Sequence, residues 1–194
     1  MSKNTGSLKS DRKLKHKHYV MIIFLFTLIS ASAIYLISQL IFETIESLII
    51  AFVLLSLVIL VGILFDVVGT AIAVANPVTF RAKASRKLPG AKQSLKLIGN
   101  ADRVANICND VVGDICGTVS GGIGTALVYI IVSSGEESIM LASVAMTGII
   151  AALTVGGKAL GKNFAIRNAD LIIGLVGRML DFRSWFQRRG SIPK

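Results

Sequence analysis

The sequence has 194 residues, 53% of them apolar and only 16% charged, and it carries a net charge of +10. Soluble domains of this size carry about 25% charged residues to cover their surface, and the mean hydropathy here is +0.71. A water-soluble globule, a disordered chain and a disulfide scaffold are excluded, which leaves an all-α polytopic membrane protein. Cys108 and Cys116 lie in an apolar run and read as reduced core residues rather than as a bridge or metal pair.

A bilayer core about 30 Å thick needs roughly 20 apolar helical residues per crossing, and four stretches reach that length. Residues 1–18 form a basic cytoplasmic tail, in which His16 and His18 read as solvated. The first span runs from Tyr19 to Ile41. Its apolar run is too long for a signal-peptide core and lacks a small-residue cleavage site, and Tyr19 suits the headgroup layer. The second span is Leu48 to Ala75. After Pro77, residues 79–100 mix apolar and basic positions around Pro89 and Gly90. They predict two short helices joined by a turn on the membrane surface, within a cytoplasmic connection covering 77–103. The third span is Val104 to Val132 and the fourth Ile139 to Val155, so that the four-span domain occupies 19–162. Residues 163–194 complete the chain as a cytoplasmic amphipathic helix and tail. There Leu171, Leu175, Met179, Phe182 and Phe186 recur at the helical period, Arg167, Arg178 and Asp181 leave a polar face, and Trp185 is an interfacial anchor.

Orientation follows from the basic residues. All 21 Lys and Arg fall in the N-terminal tail, in the connection between spans two and three, or after span four. The other two loops hold only Glu43 and Glu46, and Glu136 and Glu137. Basic loops stay in the cytoplasm, so both termini and the central connection are expected there, in the bacterial plasma membrane. Basic juxtamembrane segments also attract anionic lipid, which accounts for the charge without nucleic acid; neither a stacking platform nor a groove-reading element is visible.

Within span three, Gly113, Gly117 and Gly121 follow one another at four-residue intervals, with Gly122 and Gly124 behind them. Small residues at this spacing allow close helix approach in lipid; they also leave room for an ion or for helix movement. Gly62, Gly69, Gly156 and Gly157 add similar points. The acids inside apolar spans are more informative. Asp66 lies in span two, and Asn106, Asn109, Asp110 and Asp114 lie in span three. A carboxylate in hydrocarbon costs on the order of 3 kcal/mol, so such groups are expected to face a cavity, a partner or an ion. The sequence places no Lys or Arg within the spans. Asn106, Asp110 and Asp114 share one helix face, with Asn109 beside them. Asp66 and Asp114 both lie about 15 Å from the cytoplasmic boundary at 1.5 Å per residue. Carboxylate, amide and hydroxyl oxygens, with Thr70 and Thr118 near, are hard ligands suited to Mg²⁺ or Ca²⁺; Na⁺ or H⁺ coupling uses the same groups. The candidate cation ligands are therefore Asp66, Thr70, Asn106, Asn109, Asp110 and Asp114.

The stretch from Phe65 to Phe186 resembles the transmembrane domain of the CNNM/CorB/CorC family, magnesium transporters whose membrane part was catalogued as domain of unknown function 21. FDVVGTAIAVANPVTFRAKA stands where the family has its SxSETA segment, with Thr70 and Ala71 matching the TA pair. Asn100, Ala101, Asp102 and Arg103 resemble the NPxR entry, and GGKALGKNFAIRNAD occupies the place of GExxPK, keeping Gly156 and Lys162. Asp66, Val68 and Gly69 replace the two Ser and the Glu of the first motif, and Gly157 and Gly161 replace the Glu and Pro of the last. The family's paired Asn would fall near Val112 and Gly113. The resemblance implies a homodimer and, given these replacements, a relocated acidic site at similar depth; the expected departures from the family are an added N-terminal span at Tyr19 to Ile41 and the absence of its CBS and CorC-type modules.

The leading expectation is a cation transporter or exporter, for Mg²⁺ above all, with Mg²⁺ or Na⁺ as transported ion and no other cofactor. The alternative is a non-transporting membrane module that binds or regulates a membrane or cytoplasmic protein through its basic belt. An enzyme is not expected, because the chain has no Ser/His/Asp set and both His lie in the tail.

Overall fold

In a computed structural model, residues 20–36, 48–132 and 136–189 are described, with side chains of 136–137 and 182–189 set aside. The basic tail with His16 and His18, the remainder of the first expected span, Glu43, Glu46 and residues 190–194 lie outside the described residues. So do the side chains of Phe182, Trp185 and Phe186.

The described chain is helical, without strands. A short apolar helix α1 (Val20–Leu36) is followed by α2 (Leu48–Val74), α3 (Pro77–Ser85) and α4 (Ala91–Ile98). A continuous rod comes next, made of α5 (Ala101–Asn106), a π-helical segment (Ile107–Val112) and α6 (Gly113–Ile131). Two long helices complete the fold, α7 (Glu136–Arg167) and α8 (Ala169–Arg189). Three of these helical rods are long and apolar enough to cross a membrane: α2, Ala101–Ile131, and Ser138–Arg167 within α7. The protein is an integral membrane protein of the all-α class.

The segment expected to end at Val155 does not end there. Gly156 and Gly157 are helical, and α7 continues through Lys158 and Lys162 to Arg167. With 32 residues it is about 48 Å long, more than a hydrocarbon core of about 30 Å requires. Its outer face carries Met140, Leu141, Val144, Leu153, Leu160 and Phe164, all exposed.

Helix α2 is the hub, touching α4 and every later element through α8. Its buried residues Ala51, Leu55, Ile59, Gly62, Asp66 and Gly69 recur at three- and four-residue steps, the spacing of one helix face. Two apolar clusters lie along that face. The first joins Ala51, Leu55 and Ile59 to Val111, Ile115, Val119, Ile123 and Leu127 of the rod and to Ile150 of α7; Ile23 and Ala31 of α1 pack against it. The second joins Ala71, Ile72 and Ala75 to Phe80, Ala165, Ala169, Ile172 and Ile173. Asp66 lies between the two.

The second cluster is a platform of short helices. Asn76 caps α3, its side-chain oxygen accepting from Val78 N at 2.9 Å, and Pro77 opens the helix where a missing N–H costs nothing. The end of α3 closes with Leu88 N donating to Lys83 O and Lys87 N to Ala84 O, a Schellman arrangement that places Lys87 at φ 55. Helix α4 then lies on α8. Ser94 Oγ, fully buried, donates to Ile173 O at 2.9 Å, and Gly90 N donates to Asp181 Oδ2 at 3.2 Å. On α8 the packed residues are Ile172, Ile173 and Gly177. The expected apolar stripe is a different face: Leu171, Leu175 and Met179 are exposed.

Candidate intramembrane polar site

Glycines set the contact between α2 and the rod. A Cβ built on Gly62 would lie 3.0 Å from Cys116 Cβ, and one built on Gly69 would meet Asn109 Oδ1 and lie 3.0 Å from Cys108 Cβ. The two helices therefore run antiparallel with their backbones close, as small residues permit in lipid. Asp66 falls between Gly62 and Gly69, and Gly113 between Asn109 and Cys116, so Asp66 and Gly113 stand at one level.

At that level the polar atoms are not paired. Asp66 is 3% exposed, and its Oδ2 has no hydrogen-bond partner; neither has the buried Asn109 Oδ1. A carboxylate oxygen and an amide oxygen both accept, so neither can satisfy the other. Leaving a buried polar atom unmet costs about 1–3 kcal/mol, and more for a charge. Asn109 is carried by the π-helical turn. Hydrogen bonds there span five residues rather than four, a distortion that recurs at functional sites, and it turns the amide toward α2.

Helix α7 closes the third side. Cβ atoms on Gly157 and Gly161 would run into Ile63 and Val67, so this turn of α7 lies directly on the turn of α2 that carries Asp66. Lys158, between those glycines, sends its Nζ to within 3.0 Å of the Cβ position of Gly113. The expectation that the spans hold no basic residue is thereby corrected: a lysine from the prolonged fourth helix enters at the level of Asp66. The signal was present in the Gly157–Gly161 spacing, a small-residue pair that marks a helix contact where the apolar run alone marks an end. Both cysteines are free.

The remaining candidate ligands are placed differently. Thr70 is half-buried, one residue beyond Gly69. Asn106, Asp110 and Asp114 do share a face, but it is exposed, as is Thr118, and a Cβ on Gly117 or Gly121 would meet nothing within 4 Å. Asp66 and Asn109 thus face inward, while Asp110 and Asp114 face away from α2. Among the described residues, no three His, Cys, Asp or Glu side chains come together in a metal-holding group. One carboxylate, one amide and one ammonium, on three helices, are thus placed at neighbouring levels of the bundle. Compared with known proteins, the chain matches no family model, no curated protein and no solved structure.

Proposed function

We propose that this protein is a membrane cation transporter whose ion passes the level of Asp66 and Asn109. The observation behind this reading is the pair of buried, unpartnered oxygens, Asp66 Oδ2 and Asn109 Oδ1, on facing helices inside a membrane protein. A cation can bind both acceptors at once. Mg²⁺, the ion implied by the motif resemblance, holds several waters and uses only one or two carboxylates, which fits a single Asp assisted by an amide. With α1 as a fourth crossing, both termini and the α3–α4 platform lie in the cytoplasm, in agreement with the distribution of Lys and Arg.

The test is flux into proteoliposomes loaded with a Mg²⁺ indicator. Asp66→Asn is expected to lower flux at least ~100-fold, the scale of a lost intramembrane ligand charge. Asp110→Asn and Asp114→Asn, being on the outer face, are expected to keep the wild-type ion affinity. Wild-type flux in Asp66→Asn would overturn the proposal.

The outer face of the rod supports a homodimer. Asp110, Asp114, Thr118, Gly117 and Gly121 form a polar and small strip that lipid cannot solvate, and the glycines allow a second copy to approach closely. Gly117→Leu and Gly121→Leu are expected to shift the detergent-solubilised protein from dimer to monomer by light scattering. A second reading, a module that docks a partner protein, draws on the exposed Leu171, Leu175 and Met179 of α8. It requires a stoichiometric partner that co-purifies from membranes and is lost on Leu175→Asp.

A further inference from the structure

We propose that the open side of α8 is a docking surface for anionic phospholipid in the leaflet next to the α3–α4 platform. The proposal is independent of the ion reading, and it gives to lipid the surface on which the partner-docking reading draws.

Helix α8 is packed on two sides and open on a third. Ala169, Ile172 and Ile173 join the cluster at the end of α2. Gly177 lies under α4, where a Cβ would meet Ser94 Oγ and lie 2.6 Å from Gly90 O. At 3.6 residues per turn, Leu171, Leu175 and Met179 fall on the side away from α4, and they are 59%, 51% and 74% exposed. The outer side of α4 carries Lys92 and Lys96, both exposed. The stacked pair therefore has an apolar side on α8 and a basic side on α4.

The charges of α8 are sorted in the same way. Its two acids, Asp170 and Asp181, share the Gly177 side and are half-buried, and Asp181 Oδ2 accepts from Gly90 N. Arg178 is exposed at the edge of the apolar stripe, and Lys162 and Arg167 are exposed just before its start. A stripe of Leu and Met edged by cations, with the acids withdrawn to the opposite side, is complementary to the boundary between acyl chains and anionic headgroups. The stripe also continues the apolar outer face of α7. That helix exposes Leu160, Phe164 and Ile166 up to the turn at Asn168, and exposed apolar positions resume at Leu171. Guanidinium groups bind phosphate through two parallel hydrogen bonds, so Arg167 and Arg178 hold the headgroup phosphate while acyl chains lie along Leu171, Leu175 and Met179.

A basic residue close to an anionic membrane surface favours it about fivefold, so loss of two is readily measured. The experiment uses the full chain in phosphatidylcholine nanodiscs, with the single tryptophan removed as Trp185→Phe. One lipid component is brominated in its acyl chains, either phosphatidylglycerol or phosphatidylcholine, at equal mole fraction. The fluorescent reporter is Leu175→Trp on α8 or Lys92→Trp on α4. Leu175→Trp is expected to be quenched at least ~2-fold more strongly by the brominated phosphatidylglycerol than by the brominated phosphatidylcholine. Adding Arg167→Gln and Arg178→Gln is expected to remove that difference, and Lys92→Trp is expected to be quenched by neither lipid. Should Leu175→Trp not fold, Leu171→Trp reports on the same stripe. A reporter on the stripe that neither lipid quenches would overturn the proposal, and so would equal quenching by the two lipids, because the anionic headgroup then has no part. Quenching of Lys92→Trp as strong as that of Leu175→Trp would overturn the two-sided arrangement. No ion enters this assay, so its failure leaves the transport reading standing, and loss of the transport reading leaves this surface untouched.

Discussion

A methyl group at Gly69 is expected to cost the protein both stability and its ion response. In Gly69→Ala the new Cβ runs into Asn109 Oδ1 and lies 2.8 Å from Asn109 Cγ. Moving the amide aside does not relieve the clash alone, because Cys108 Cβ stands 3.0 Å from the same point and the α2 backbone is held by Gly62 against Cys116. Overpacking of this kind costs about 1–3 kcal/mol, against the gain of up to about 1 kcal/mol that Ala normally brings to a helix interior. The internal control is Gly148→Ala on α7, where a Cβ would meet nothing within 4 Å and only the helix gain remains. Thermal unfolding in nanodiscs should therefore move in opposite directions for the two variants. Mg²⁺-dependent stabilisation should vanish only in Gly69→Ala, because Asn109 is driven out of the pocket. Equal unfolding temperatures for the two would mean that α2 and the π-helical turn are not in the contact described.

The second large effect is expected at Gly90. Its φ of +80 lies in the left-handed region, where a side chain costs about 1–2 kcal/mol. A Cβ there would also lie 2.5 Å from Arg178 N and 2.6 Å from the Gly177 carbonyl carbon, main-chain atoms that cannot step aside. Gly90→Ala must therefore lift α4 off α8, breaking the Gly90–Asp181 and Ser94–Ile173 hydrogen bonds together. The expected result is rapid proteolysis and amide exchange across 77–98 and 169–180, with α2 protected as in wild type. Unchanged exchange in α4 would contradict the packing.

Much of this architecture is written in the apolar runs. Leu48–Val74 is continuous enough that its limits follow from hydropathy, and Asn76–Pro77 and Pro89–Gly90 mark the short helices by cap and turn chemistry. The parts that are not legible depend on contacts between helices. The fourth apolar run stops at Val155 because Gly156, Gly157 and Lys158 follow, yet the helix persists because Gly157 and Gly161 are the residues that fit against Ile63 and Val67. Spacing by four puts Asn106, Asp110 and Asp114 on one face, as observed, but a period of 3.6 cannot say that this face points away from α2 while Asn109 points toward it. On α8 apolar residues occur on two sides, so periodicity selects Leu171, Leu175 and Met179, whereas the platform buries Ile172 and Ile173.

The five-residue hydrogen-bond step at Ile107–Val112 has a mechanical consequence. A surplus residue in one turn sets the two halves of the rod out of phase, so if that surplus migrates only the residues between its old and new positions change neighbours. Sliding the wide turn by a few positions would rotate Asn109 about the rod axis like a key, without translating either end. A helix built in this way can change what it presents to α2 while its ends stay anchored.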